Sequence, residues 1–390
     1  MLEIQSILLT EPNQIVATVH IDGKEETIQT EIDAAMQPYA CCDRCDAYVM
    51  GFLYTAMQLG WDIHSQIPIS EDLYYNLEYH FIDAMHEADK RLHRIRLEMP
   101  IAKERPEGAT ADIVATGISC GIDSLFTVAT HTDTKLPNYN LTHLAFFDVG
   151  ASYHGEGTAR SLFEGRFENA RKFAETYGYG FIFVRSNIHR IINKYIPYSH
   201  VCNNTYMMLF CILSLQNAFR KYYYSSGYSY NEFRLYDPKE LDSEHYDLLL
   251  LGVASVNGVR FYSTGASFTR MEKTRVINSY ERAYDFLNVC VAEPVNDNKC
   301  FKCVRTLLSL DAWGGVERFR KAFDVDFYKR NRPLYLRRMW IDGVLKRNSF
   351  YREILPYFSD ELTLLFKVRC VLSIFTNSFK RILHLPVHEL

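Results

Sequence analysis

The first hundred residues alternate apolar and polar positions and then change to the spacing of amphipathic helices. Asp22 and Gly23 lie between two alternating runs and form a dipeptide typical of tight hairpin turns. The predicted elements are strands over residues 15–19, 27–32 and 92–99, and helices over residues 47–59 and 70–85. Residues 1–105 are therefore expected to form an N-terminal α+β domain of unknown role, followed by a linker over residues 100–110.

From residue 111 onward, short apolar runs alternate with helical segments. The predicted strands cover residues 113–115, 144–147, 181–184 and 248–252, and the predicted helices cover residues 158–177 and 205–219. This order predicts an α/β fold in which a parallel sheet carries helices on both faces. Ligands of such sheets bind at the carboxyl ends of the strands. The loop 116–123, Asp148 and Arg185 follow three of these strands and are expected along one edge.

The α/β pattern defines a domain over residues 106–315, and the chain after residue 260 turns helical. Residues 316–390 are therefore expected to form a helical C-terminal extension. Basic residues concentrate after residue 328, where apolar residues are interleaved at helical spacing. A solvated basic helix face explains this pattern, and a surface for RNA or an acidic partner is the alternative.

Composition narrows the class of protein. With 48% hydrophobic and 14% aromatic residues in 390 positions, the chain is too apolar for disorder and long enough for more than one core. A formal net charge of −4 argues against binding nucleic acid over the whole surface. No apolar run reaches the roughly 20 residues of a membrane span, and no signal-peptide pattern opens the chain. We therefore expect a soluble cytoplasmic protein without a membrane partner, and a homodimer is left open.

The most distinctive chemistry lies between the apolar run 113–115 and the helical segment that begins near Ser124. A loop of small and polar residues there leaves backbone N–H groups unpaired at a helix N-terminus. The helix dipole favours negative charge at that point, so phosphate or pyrophosphate is the expected ligand. The residues expected to bind it are Ser119, Cys120, Gly121, Ile122, Asp123 and Ser124.

This loop resembles the Ser-Gly-Gly-x-Asp-Ser signature of the PP-loop ATP pyrophosphatases. Within that superfamily, residues 111–310 are most similar to the 7-cyano-7-deazaguanine synthases, since residues 147–150 and 264–273 also resemble segments of those enzymes. Cys120 departs from the pattern, because the family usually has its first glycine there. The resemblance implies a Rossmann-like fold of the HUP/PP-loop type, with ATP and Mg²⁺ as cofactors.

The resemblance also implies roles for individual charged residues. Asp123 is expected to help hold magnesium, and Arg270 and Lys273 are expected to neutralise the triphosphate; we assign these three residues to catalysis. Arg185 is a further candidate cation for the phosphates, and the adenosine is expected towards Asp148. Among the histidines, His154 is the one we would test as a substrate contact.

Three cysteines make up another candidate site. Cys300 and Cys303 form a Cys-x-x-Cys pair that places two thiolates on one turn, as tetrahedral zinc requires, and Cys290 supplies a third. The 7-cyano-7-deazaguanine synthases resemble this arrangement but carry four cysteines, and the position three before Cys300 here is Asp297. Zinc with Asp297 as an oxygen ligand and a site that has lost its metal are both left open. The cluster in which we expect free thiols comprises Cys41, Cys42 and Cys45.

The chemistry implied by the resemblance is adenylation. An oxygen of a substrate carboxylate or carbonyl attacks the α-phosphate of ATP, pyrophosphate leaves, and an amine or ammonia then displaces AMP. The expected substrate is a small molecule or a peptide, and RNA is not favoured. The alternatives are a sulfurtransferase of the same fold, acting on RNA or a small molecule, and a degenerate loop that binds nucleotide without catalysis.

Overall fold

The computed structural model describes residues 1–103, 111–151, 158–256 and 258–382. The chain divides into two compact units. The first unit comprises Met1–Ile118, Thr130–Ala159 and Arg171–Ser267, and the second comprises Ser119–Ala129, Arg160–Ala170 and Phe268–Leu390. Most of the predicted linker over residues 100–110 lies outside the described residues.

A ten-stranded sheet forms the centre of the first unit. Strands β5 and β7 form a separate pair, and all other strands belong to this sheet. In chain order the strands are β1 (Leu2–Thr10), β2 (Gln14–Ile21), β3 (Lys24–Ile32), β4 (Ile63–Ser65), β5 (Ile69–Ser70), β6 (Leu97–Glu98), β7 (Ile101–Ala102), β8 (Ile113–Gly117), β9 (His143–Asp148), β10 (Gly180–Ser186), β11 (Phe219–Ser225) and β12 (Arg260–Thr264). The large sheet has the order β12-β11-β8-β9-β10-β3-β2-β1-β4-β6. The first five strands in this order are parallel to one another, and the antiparallel pairs involve β1, β2, β3 and β10. The protein is therefore α/β, with a mostly parallel sheet flanked by helices.

The helices differ in length and surround the sheet or build the second unit. In chain order they are α1 (Asp46–Leu59), α2 (Glu71–Asn76), α3 (Ile82–Ala88), α4 (Ile122–His131), α5 (Thr158–Tyr177), α6 (Ile188–Ile192), α7 (His200–Ser214), α8 (Asp247–Val253), α9 (Arg270–Asn278), α10 (Phe301–Ala312), α11 (Val325–Trp340), α12 (Ser349–Ile354) and α13 (Leu364–Ile382). The helices after β12 agree with the prediction that the chain turns helical there.

The N-terminal strands form a hairpin that extends the sheet. The turn between β2 and β3 is made by Asp22 and Gly23, both at positive φ, as the dipeptide predicts. β3 pairs antiparallel with β10, with Ile32 opposite Val184. Asn187 joins the same two strands, since its Oδ1 accepts the Gln29 N–H at 2.9 Å and its Nδ2 donates to the Thr27 carbonyl at 3.1 Å. The N-terminal residues therefore continue the sheet of residues 113–264.

This continuity bears on the predicted domain boundaries at residues 105 and 315. Residues 1–118 belong to the same compact unit as β9 to β12, and residues 119–129 belong with the helices after residue 268. The boundaries of the compact units therefore differ from the predicted ones. The division into an N-terminal domain, a nucleotide domain and an extension remains a prediction.

One predicted element was wrong, and two others differ in extent. Residues 248–252 form part of helix α8 and not a strand: Leu250 and Leu251 are buried, whereas Leu248 is exposed, which is the pattern of a helix packed on one side. The helix predicted over residues 205–219 is α7, which ends at Ser214, and Phe219 begins strand β11. The strand predicted over residues 92–99 is reduced to Leu97–Glu98. Strand β12 was not predicted.

Helices α1 and α7 pack closely in the first unit, and Gly51 lies at their contact. The ring centroids of Tyr48 and Phe210 are 5.4 Å apart in an edge-to-face arrangement. A Cβ added to Gly51 lies 2.7 Å from Ile188 Cδ1 and 3.1 Å from Phe210 Cδ2. Since Ile188 and Phe210 are fully buried, neither side chain has free space to move into.

No helix in the described ranges is long and apolar enough to span a membrane.

We expect Gly51→Val to lower the free energy of unfolding by about 1–3 kcal/mol, because the added carbons overpack this contact. The matched control is Gly252→Ala in α8, where a new Cβ meets no atom within 4 Å; it should raise stability by roughly 0.5–1 kcal/mol. Denaturant titration followed by circular dichroism measures both. An unchanged midpoint for Gly51→Val contradicts the close packing of α1 on α7.

Candidate functional site

The loop that precedes α4 is closed by its own side chains. The Ser119 hydroxyl accepts the Gly121 N–H at 3.3 Å, and the Ser124 hydroxyl donates to the Gly121 carbonyl at 3.2 Å. The two serine hydroxyls lie 3.2 Å apart. From outside the loop, the Asn288 N–H donates to the Cys120 carbonyl at 2.9 Å. The loop therefore enters α4 in one defined conformation.

Cys120 occupies a glycine position of the signature although it has a Cβ, and its backbone conformation explains how. Its φ is +56°, in the left-handed region that glycine adopts most readily. The Cys120 side chain is fully buried, and burial raises the pKa of its thiol. The backbone thus keeps a conformation favoured by glycine while the thiol packs inside the second unit. Cys120 is therefore neither exposed nor a reactive thiolate.

Asp123, in the first turn of α4, is held by two cations from α9. Arg270 Nη1 lies 2.6 Å from Asp123 Oδ2, and Lys273 Nζ donates to Asp123 Oδ1 at 3.0 Å. The Lys273 side chain is only 2% exposed. Burying an ammonium group is costly unless a carboxylate compensates it, so Asp123 and Lys273 depend on each other. The structure brings together the three residues that we assigned to catalysis.

The start of α9 places both cations on the same side of the helix. Thr269 and Glu272 form a capping box: the Thr269 hydroxyl accepts the Glu272 N–H, and the Glu272 carboxylate accepts the Thr269 N–H. Arg270 and Lys273 are three positions apart, which puts them on one face of the helix. The capped helix therefore directs both side chains at Asp123.

Arg305 on α10 is a third cation in this cluster. Its side chain is 8% exposed, and its guanidinium carbon lies 4.2 Å from the ring centroid of Phe350. Burial alone raises the pKa of Asp123, but the positive charges of Arg270, Lys273 and Arg305 outweigh it and hold the pKa below the usual range. We call these four charged residues the Asp123 cluster. The cluster thus consists of one carboxylate and three cations, and a group of cations at one place suits an anion.

Sequence reasoning assigned no role to Arg305 or to Phe350. A signal for Arg305 exists, since it follows Cys303 by two positions and lies within the buried part of an amphipathic helix. Phe350 lies in the C-terminal extension and carries no motif. Only the folded chain places it beside an arginine that is 45 positions away.

The second cluster consists of Cys290, Asp297, Cys300 and Cys303. One potential ligand atom from each residue lies within 4.8 Å of all the others. Backbone N–H groups point at two of the sulfurs, from Glu293 to Cys290 Sγ at 3.3 Å and from Cys303 to Cys300 Sγ at 3.4 Å. The three sulfurs and one carboxylate oxygen are a donor set that can bind a metal such as zinc.

The protonation of these thiols is uneven. A side-chain hydrogen bond with Cys303 lowers the pKa of Cys300 to about 5, against the effect of burial. The same hydrogen bond and burial raise the pKa of Cys303. Burial also raises the pKa of Asp297, but the N–H groups of Cys300 and Lys299 and hydrogen bonds from two thiols outweigh it, and the net pKa is lowered.

Arg166 on α5 lies beside the cysteines. Its Nη2 donates to the Cys290 carbonyl at 2.8 Å. Burial lowers the pKa of the Arg166 guanidinium, whereas the nearby Cys290 and Cys300 raise it. A positive group at this position compensates negative charge on Cys290 and Cys300 when their thiols ionise.

The other residues predicted to bind nucleotide belong to the first unit. Asp148 and Arg185 are opposite each other on paired strands β9 and β10, and Arg185 Nε donates to Asp148 Oδ2 at 2.9 Å. Arg185 also pairs with Glu31 at 3.3 Å. The structure thus joins Asp148 to Arg185, and their role in nucleotide binding remains a prediction. His154 lies outside the described residues.

Comparisons with protein-family models, with curated proteins and with solved structures found no match to this chain.

We expect Asp123→Asn to lower the free energy of unfolding by about 1–3 kcal/mol at pH 7, because it leaves buried cations without their counter-charge. Since the pKa of folded Asp123 is lowered, its contribution to stability is complete above the unfolded pKa near about 4 and is lost as the pH falls through the folded value. Denaturant titrations at pH 7, 5 and 3 should therefore show the difference from wild type shrinking below about pH 4.

The matched control is Asp326→Asn, which removes an exposed partner of Arg320 in the same unit. It should leave the unfolding midpoint unchanged, because exposed ion pairs contribute little. If Asp123→Asn is as stable as Asp326→Asn at pH 7, the cluster does not hold the second unit together.

Proposed function

We propose that the Asp123 cluster binds the pyrophosphate end of ATP and that the protein is an ATP-dependent ligase of the PP-loop type. The observation that carries this proposal is the ion pairing of Asp123 with Arg270 and Lys273 directly after the loop 119–124. Asp123 lies in residues 119–124 and the two cations in residues 264–273, and both segments resemble the PP-loop enzymes. Arg270 and Lys273 supply positive charge for an anionic ligand, and Asp123 stands in the first turn of α4, where the helix dipole favours negative charge.

In this reaction the protein mainly positions the reacting groups and neutralises negative charge. A substrate carboxylate or carbonyl oxygen forms a bond to the α-phosphorus of ATP while the bond from that phosphorus to the pyrophosphate oxygen breaks. An amine or ammonia then attacks the activated carbon, loses a proton and displaces AMP. Arg270, Lys273 and Arg305 stabilise the negative charge that develops on pyrophosphate as it leaves.

Asp123 is the residue of this cluster that would hold Mg²⁺, although its two carboxylate oxygens already pair with Arg270 and Lys273. Asp123 is 21% exposed and supplies carboxylate oxygens, which are the donors that Mg²⁺ prefers. When bound, the ion would neutralise negative charge on the phosphate oxygens that Arg270, Lys273 and Arg305 leave uncompensated.

A sulfurtransferase is the second candidate function. The lowered pKa of Cys300, about 5, favours a thiolate at neutral pH, and the adjacent Cys303 could resolve a persulfide on it. Detection of a persulfide on either cysteine by mass spectrometry, after incubation with a sulfur donor, decides for this function. Zinc held by the same residues decides against it, since bound thiolates are not free nucleophiles.

The adenylation proposal is tested by pyrophosphate release from ATP in the presence of a panel of carboxylates and amines. We expect a substrate-dependent release by wild type that falls about 100-fold in Arg270→Gln, because one charged donor to the leaving group is lost. Asp123→Ala should fall at least as far. The matched control, Arg320→Gln, removes an exposed arginine of the same unit and should keep wild-type activity. Equal background release from all four proteins on every substrate refutes adenylation.

We propose further that zinc binds to Cys290, Cys300, Cys303 and Asp297. Elemental analysis of the purified protein should find about one zinc per chain, and Cys303→Ser should lose most of it. Cys370→Ser, which changes another buried cysteine of the second unit, should retain the metal. Protein without zinc that also fails to bind added Zn²⁺ or Co²⁺ contradicts a metal site and supports a cluster that has lost its ion.

A further inference from the structure

The C-terminal extension supplies an aromatic ring to the Asp123 cluster. Phe350, the second residue of α12, lies under two guanidinium groups: that of Arg305 at 4.2 Å and that of Arg270 at 5.9 Å from the ring centroid. Both distances are within the range of cation–π attraction, and the first is close. One ring therefore contacts two of the three cations that surround Asp123.

The ring is held by a well-anchored helix. The Asn348 side chain accepts the Tyr351 N–H at 3.3 Å and caps α12. Tyr351 is buried, and its hydroxyl donates to the Phe301 carbonyl at 3.3 Å, at the start of α10. α12 also packs against α9, which carries Arg270. Its position is thus defined by the two helices that supply the arginines.

Two guanidinium groups near one another repel, and each gains hydration by turning to solvent. The electron-rich face of an aromatic ring offsets part of that repulsion while leaving the N–H groups at the guanidinium edges available. Arg270 has such a donor: its Nε is buried and has no hydrogen-bond partner among the residues that the structure describes. A buried donor without a partner is costly unless a ligand satisfies it.

We infer that Phe350 is a positioning residue of the anion site, which orients Arg305 and Arg270 towards the pyrophosphate end of the ligand. This inference rests on the proposed function. It makes the C-terminal extension part of the site, whereas the sequence predicted there a solvated basic face or, as the alternative, a surface for RNA or an acidic partner. A purely structural Phe350 needs only apolar bulk, whereas a positioning Phe350 needs an aromatic ring.

Isothermal titration calorimetry with inorganic pyrophosphate tests the inference on the full chain. Phe350→Leu should weaken binding by about 5- to 30-fold, the loss expected for one or two cation–π contacts. Phe350→Tyr keeps the ring and should stay within about threefold of wild type. The matched control is Phe327→Leu, which removes the ring beside Lys299, 5.6 Å from its ammonium nitrogen, and should bind like wild type.

A double-mutant cycle separates positioning from folding. If Phe350 acts through Arg305, adding Phe350→Leu to Arg305→Gln should weaken binding by less than about threefold beyond Arg305→Gln alone. Fully additive losses, or a Phe350→Tyr variant as weak as Phe350→Leu, overturn the inference and leave the proposed function standing. Wild type that binds no pyrophosphate overturns both.

Discussion

The buried ammonium group of Lys273 is the constraint on which the candidate site depends. A lysine that is 2% exposed must have a counter-charge, and Asp123, at 3.0 Å, supplies it. This pair connects α4 to α9 and thereby fixes where the loop 119–124 ends. Arg270 shares the same carboxylate and Arg305 adds to its field. The cations of the cluster are largely buried, and an anion gains most from electrostatic attraction where water is largely excluded.

The central strands could be predicted because each is a short apolar run bounded by polar residues. The runs at residues 113–115, 144–147 and 181–184 all became parallel neighbours in the sheet. The run Leu248–Leu251 could not be assigned in the same way, since four consecutive leucines satisfy either a buried strand or one turn of a half-buried helix. Strand β12 has only five residues, and its alternation of exposed and buried positions stops after Tyr262, so it does not stand out. The pairing of β3 with β10 joins segments about 150 residues apart, and no local pattern encodes it.

Part of the candidate site could likewise be predicted from the sequence, and part of it could not. Asp123, Arg270 and Lys273 were predicted from two separated segments by resemblance, and the structure brings them into contact. Cys120 fits the glycine position of the loop because its φ is positive, and the composition of the loop does not reveal that angle. Asp297 joins Cys290, Cys300 and Cys303 because a turn at Asn298, also at positive φ, brings its carboxylate back onto the cysteines. The role of Phe350 could not be predicted from the sequence, because a phenylalanine in a helical extension is usually part of a core.

The measurement that tests the central claim most directly is the binding of ATP, pyrophosphate and AMP to the wild-type chain in the presence of Mg²⁺, by calorimetric titration and competition. If the Asp123 cluster holds the pyrophosphate end of ATP, then ATP and pyrophosphate bind and displace each other, and AMP binds far more weakly than either. Binding of AMP as tight as that of ATP, or ATP binding that excess pyrophosphate does not displace, contradicts this account.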